Sequence, residues 1–427
     1  MQKADLLIIN IGQLVTAGGS RVAKHGSLMA DAAVIEDGAV AIADGKIVAA
    51  GNSDEIAPKY SVEKAVNAGG RVVTPGFVDP HTHIVFAGDR LAEFELKIRG
   101  AEYLEILEAG GGIISTVENT RGASVDELIA GALSRLEKML ECGTTTCEIK
   151  TGYGLDTVNE LKMLRVIEAL DKAHPIDIVP TFLPAHTLPP EFRNDADGYV
   201  DLICGEMLPK AWQWYENSHF VQVDRPFFCD VFTEKSAFDL DRSRSILEAA
   251  KAIGFGIKAH VDQFTNLGGS QMAIDLDAAS IDHLDAISDD EIARLAVSDT
   301  IGIVIPTENF SGGKMSFAPA RKLIDAGCAV AVSTDNNPGS APCPSMPMAM
   351  AIAARYQKLL PAELLNAATI NAAHAIGLGE THGSIEVGKA ADLLIWDQTD
   401  LRQIVYEFGN MRPMAVIKNG SAVRGNI

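Results

Sequence analysis

His81 and His83 stand one residue apart at the end of Thr74-Pro75-Gly76-Phe77-Val78-Asp79-Pro80-His81-Thr82-His83. At a strand end, side chains two positions apart point to one face, so the pair presents two imidazoles to a single metal ion. An HxH triplet alone is a weak signal. Here it closes an apolar strand after a Pro-Gly turn, which strengthens the metal reading. Later apolar runs are followed by His260 in GIKAHVDQF, His283 in SIDHL and Asp335 in AVAVSTD. Each of these taken singly reads as a hydrogen-bonded core or surface residue. Taken together, they are groups at strand ends, where the C-terminal mouth of a parallel barrel collects its active-site side chains. His81, His83, His260 and Asp335 offer a zinc or iron ion nitrogen and carboxylate ligands, with a position left for water and no thiolate required. Such an ion lowers the pKa of its water toward neutrality, and hydrolysis is the chemistry implied.

Positioning these groups requires repeated strand and helix units. Between about residues 74 and 380, periodicity predicts strands at 144–149, 176–183, 256–260, 301–306 and 329–334, and amphipathic helices at 124–142 and 156–173. A TIM (β/α)8 barrel accommodates this alternation, although a doubly wound open sheet shares it. The first seventy residues read instead as short strands at 6–10, 39–43, 46–50 and 71–74, with turn signals such as Asp44-Gly45. The same texture returns at 392–396 and 415–418, before Asn419-Gly420. The expected organisation is a barrel over 74–382, flanked by a small β-rich domain built from both chain ends, 1–73 and 383–427. The segment 206–225 concentrates Trp212, Trp214 and Tyr215 and predicts a helix whose apolar face packs on the core rather than forming a lid or subunit contact.

A formal charge of -21, from 36 basic and 57 acidic residues, repels phosphate backbones and anionic membrane surfaces. The expected partner is a small molecule, with neither nucleic acid nor membrane involved and a homodimer as the oligomeric expectation. An anionic substrate would need a local cation, and Arg90 is the candidate. Six cysteines form no CxxC pair, which favours free thiols in a reducing cytosol over a disulfide framework. The N-terminus lacks a signal-peptide layout, and no run reaches the roughly 18 apolar residues of a membrane helix, so a cytoplasmic protein is expected.

The motifs HTHIVFAGDR at 81–90, GGGI at 110–113, EIKTGYGL at 148–155, FLPAH at 182–186, NLGG at 266–269 and STDNNPGS at 333–340 resemble, in order, the imidazolonepropionase group of the amidohydrolase superfamily. The resemblance implies one divalent ion, Zn or Fe, on His81, His83, His260 and Asp335. It implies substrate contacts from Arg90, Tyr103, Tyr153, His186, Gln263, Asn337, Gly339 and Ser340, and catalytic places for His283, Asp335 and Asp262. Gln263 is an amide where some members carry glutamate. The segment PTENFSGGKMSFAP after Ile305 lacks the glycine and tyrosine motif expected there. Lys150, in EIKTGYGL, is read with the mononuclear members rather than as a carboxylated bridge between two ions. The implied reaction is hydrolysis of the ring amide of 4-imidazolone-5-propanoate to N-formimino-L-glutamate, in histidine degradation. The alternative is a deaminase or cyclic-amide hydrolase of another small nitrogen heterocycle, which ammonia release would distinguish. A non-catalytic metal-binding protein is the remaining class.

Overall fold

The computed structural model describes residues 1–100 and 111–425, so Tyr103 and Gly110 lie outside the described residues. The chain opens with β1 (Gln2–Val15), β2 (Val34–Ala43), β3 (Lys46–Asn52), β4 (Tyr60–Asn67) and β5 (Val72–Pro75). β1 runs antiparallel to β2 and parallel to both β4 and β5. β2 turns into β3 through Asp44 and Gly45, at φ 50° and 72°. Two consecutive left-handed residues match the right-handed twist of a hairpin, and this Asp-Gly pair adopts them.

Eight parallel strands follow in barrel order: β6 (Phe77–Asp79), β7 (Thr144–Lys150), β8 (Asp177–Ala185), β9 (Phe228–Thr233), β10 (Gly256–Val261), β11 (Ser280–His283), β12 (Ile301–Val304) and β13 (Val330–Val332). This is the expected barrel rather than an open sheet. Its seam is drawn together by side chains: Ser333 Oγ donates to Asp79 Oδ1 at 2.5 Å and to the His81 carbonyl at 2.8 Å. The backbone N–H of His83 donates to the Asn336 carbonyl at 3.0 Å. β9 was not anticipated, because Asp230 interrupts its apolar run. In the fold that aspartate is wholly buried.

The helices Val125–Glu141 and Thr157–Ala173 start one residue inside their expected limits, after the caps Ser124 and Asp156. Ser124 and Glu127 form a reciprocal capping box. The aromatic segment folds as helix Leu208–Glu216 and a short helix His219–Gln222. Trp212 and Tyr215 pack their rings 5.1 Å from Phe255 and 5.0 Å from Phe227, on the barrel flank, as core packing predicts.

After the barrel, β14 (Leu393–Ile395), β15 (Ala415–Lys418) and β16 (Ser421–Arg424) rejoin the first sheet, β14 pairing with β5. Both chain ends therefore share one eight-stranded sheet. Lys418 on β15 ties it to the barrel, its Nζ lying 2.5 Å from Asp177 Oδ2 at the start of β8 and 2.6 Å from Asp392 Oδ2. Asp177 also meets His382 Nε2 at 2.9 Å and Arg225 at 2.6 Å. Among the described residues, no helix is long and apolar enough to cross a membrane.

Candidate active site

The chain leaving β6 carries His81 and His83 across the barrel mouth, while β10, β11 and the end of β13 deliver His260, His283 and Asp335. Arg135, from helix Val125–Glu141, donates to the carbonyls of Ile84 at 2.8 Å and Phe86 at 3.1 Å, which fixes the segment just after His83. His283 and Asp335 have φ of 86° and 48°. Both are of the residue types that adopt left-handed backbone most readily outside glycine.

The Nε2 atoms of His81 and His260 lie 3.2 Å and 3.4 Å from that of His83. Asp335 Oδ1 lies 3.6 Å from His81 Nε2 and 3.7 Å from His83 Nε2. Metal bonds of about 2.0 to 2.1 Å place tetrahedral ligand atoms about 3.3 to 3.4 Å apart, a spacing that the His81–His83 and His83–His260 pairs match, while Asp335 stands slightly farther off, outside the group the three histidines form. The orientation of the rings also fits. His81 Nδ1 donates to Asp282 Oδ2 at 2.6 Å and His260 Nδ1 to Asp230 Oδ1 at 3.0 Å, leaving both Nε2 lone pairs inward. Burial, aided by nearby cationic groups, holds His81 and His83 well below the ordinary histidine range, in the neutral form a metal requires. Burial raises the Asp335 carboxyl well above its usual range, a cost that an adjacent cation relieves. The ligand atoms of His81, His83 and His260 can hold a metal ion together.

A cavity of about 630 Å³ opens over this set, lined by Arg90, Tyr153, His186, Gln263, His283, Asn337, Gly339 and Ser340. His186 Nδ1 donates to the Gly152 carbonyl at 3.0 Å, and its ring stacks on His83 at 4.9 Å. Burial lowers the His186 pKa to about 3. Arg90 is ion-paired with Glu93 and donates to Thr116 Oγ1 at 3.3 Å. The Asn337 amide is spent on its own turn, donating to the Asp335 carbonyl at 2.7 Å and accepting from the N–H groups of Gly339 and Ser340 at 2.8 Å. Asp262 does not line the cavity. It is buried in the wall, accepts from Ser270 Oγ at 2.5 Å, and has its carboxyl raised by burial to about 7.

Three buried acids in and behind the cavity wall escaped sequence reasoning. Glu160 accepts from the N–H groups of Gly154 at 2.7 Å and Leu155 at 2.8 Å and so pins the loop bearing Tyr153. Glu234 accepts from the N–H groups of Phe264 at 3.0 Å and Thr265 at 2.9 Å, steadying the loop that presents Gln263. Glu308, just past β12, is buried in the cavity wall and paired to Lys314 at 2.9 Å. Its position in the divergent segment after Ile305 was the available signal; Glu160 and Glu234 offered none. Lys150 is held by Asp230 and Glu148. Burial alone would lower its pKa, but Asp230, Glu148 and Asp282 outweigh it and hold it above the lysine range.

The amidohydrolase family model matches residues 72–423. The imidazolonepropionase of Chloroflexus aggregans is 49% identical over 426 residues, covering 100% of both chains. That of Herpetosiphon aurantiacus is 49% identical over 426 residues, covering 100% of this chain and 99% of its own. Among solved structures, an adenosine deaminase from Xanthomonas campestris with bound zinc superposes at a TM-score of 0.72 with 21% identity, over 99% of this chain and 93% of its own. Guanine deaminase from E. coli superposes at 0.67 with 16% identity, over 99% of both chains. At those identities the likeness is one of fold.

Proposed function

This chain belongs to the amidohydrolase family, among the imidazolonepropionases, and from that premise we propose that it opens the ring of 4-imidazolone-5-propanoate to give N-formimino-L-glutamate. The observation that carries this reading is that a metal-ligand set and a wall bearing Arg90 and Lys97 face one cavity.

We assign one divalent ion, zinc or iron, to His81, His83, His260 and Asp335. When bound, it lowers the pKa of a water molecule and polarises the ring carbonyl. Asp335 takes the proton of the attacking water and returns it to the departing ring nitrogen. His283, whose ring centre lies 5.4 Å from that of His81 and 5.3 Å from that of His260, stabilises the negative charge growing on the carbonyl oxygen. Tyr153 and His186 flank the ring, and Arg90 grips the propionate carboxylate through paired N–H donors. Asp262 stands behind the wall and touches no substrate in this scheme. All six cysteines are free, which supports a reducing cytosol as the compartment.

Purified protein loaded with zinc or iron should consume 4-imidazolone-5-propanoate and release N-formimino-L-glutamate without stoichiometric ammonia. Absence of turnover at full metal occupancy would overturn the assignment, and ammonia release would redirect it to deamination.

A further inference from the structure

Below the metal-ligand set, two ammonium groups are sealed inside the barrel. Lys150 Nζ lies 2.8 Å from Glu148 Oε1, 2.7 Å from Asp230 Oδ2 and 3.7 Å from Asp282 Oδ2, and none of these side chains has any solvent exposure. Lys258 Nζ lies 2.9 Å from the same Glu148 oxygen and donates at 2.7 Å to the carbonyl of Pro80, the residue before His81. Asp230 and Asp282 are also the acceptors for Nδ1 of His260 and His81. Lys150 therefore sits between the two carboxylates that aim two of the ligand rings.

Ions are taken out of water at great cost unless their charges are matched nearby. Two ammonium groups and three carboxylates leave one negative charge, and Asp335 makes it two. A single divalent cation brings that sum to zero. Without Lys150 the same acids would carry a further unmatched charge and a space beside it.

We propose that Lys150 is a positioning residue of the metal centre, holding the carboxylates that orient His260 and His81 and standing as a fixed cation where those acids would otherwise recruit a second ion. The inference rests on the metal reading given above.

Apoprotein prepared with a chelator is titrated with Zn2+ against a chromophoric competitor, and ions per chain are counted by elemental analysis. Wild type should take one ion. Lys150→Ala should bind its first ion roughly 10- to 100-fold more weakly, the usual scale for losing support behind a ligand, and take up a second at saturating Zn2+. Because Lys150→Ala can fail to fold, the charge-balanced double variant Lys150→Met/Glu148→Gln is measured beside it. That variant should show the same loss of affinity and no second ion. First-ion affinity equal to wild type in either variant overturns the inference, as does a Lys150→Ala protein that stays at one ion. A wild type that takes no ion overturns the metal reading itself and this inference with it. A wild type with one ion beside unchanged variants overturns the inference alone.

Discussion

The guanidinium of Arg90 meets the cavity already held by the carboxylate of Glu93. Glu93 also receives Lys97 Nζ at 2.7 Å and the N–H of Gly112 at 2.9 Å. Two cations thus share one anion, leaving a local positive excess on the wall of a protein whose formal charge is -21. Glu93 braces Arg90 without cancelling the pair.

Arg90→Met removes the guanidinium and keeps much of its stem. A charge-assisted hydrogen bond lost from a desolvated site costs about 1.5 to 3 kcal/mol, or about 10- to 150-fold in kcat/KM for the propionate substrate. Metal content should hold. An analogue with a neutral ethyl group should be nearly indifferent to the change; equal losses for both substrates would show that Arg90 serves the scaffold.

Gly339 lies against the same guanidinium, where an added Cβ would stand 3.1 Å from Arg90 Nη1. Gly339→Ala should push the guanidinium aside by a few tenths of an ångström and raise KM for the carboxylate substrate by roughly a few-fold, well short of the ~100-fold scale of a 1 Å misplacement. Unchanged steady-state constants would mean that the side chain yields without consequence.

His81→Ala and His260→Ala should each lose the ion and nearly all turnover. Metal analysis precedes the assay. Since an ion bound only by the native state adds stability as RT ln(1 + [L]/Kd), chelation should lower the Tm of wild type and leave these variants unmoved. Stoichiometric metal with normal turnover in either variant would refute the ligand set.

His283→Ala should keep its ion while kcat falls roughly 100-fold or more, the scale of losing a proton-transfer or oxyanion group. Loss of metal along with activity would make His283 a ligand.

Far from the mouth, burial alone would raise the Asp177 carboxyl, but His382, Lys418 and Arg225 outweigh it and hold it well below the usual carboxylate range. For a depressed acid, the stabilisation is present above the unfolded pKa and is lost as pH falls through the folded one. Asp177→Asn should therefore destabilise the protein near neutral pH by on the order of 3 kcal/mol, because it strands buried cations. The gap from wild type should narrow below about pH 4. A gap constant with pH, measured by thermal or denaturant unfolding, would assign the effect to packing.

Much of this molecule is written in short stretches of sequence. The capped helices after Ser124 and Asp156 and the Asp44-Gly45 and Asn419-Gly420 hairpin turns depend on neighbours a few residues away and stand within a residue of where they were read, whereas the HxH triplet, expected to close a strand, lies in the chain beyond β6, which ends at Asp79. The alternation of strands and helices and the matching texture of the chain ends were legible in the same local patterns, but that alternation suited an open sheet as well as a barrel, and the order of the eight strands is what separates them. Strand β9 was not legible, since a buried aspartate in an apolar run looks like an interruption until its partner is known. The partner is Lys150, 80 residues earlier. Asp282, 201 residues beyond His81, aims its ring, and Glu93, only three residues past Arg90, shows its grip on the guanidinium only once the wall is folded. Strand alternation and turn chemistry act over a few bonds, whereas the meeting of residues 150, 230 and 282 beneath the histidines follows from closing the barrel. That closure brings ionisable groups distant in sequence into one place without water, and no local spacing records it.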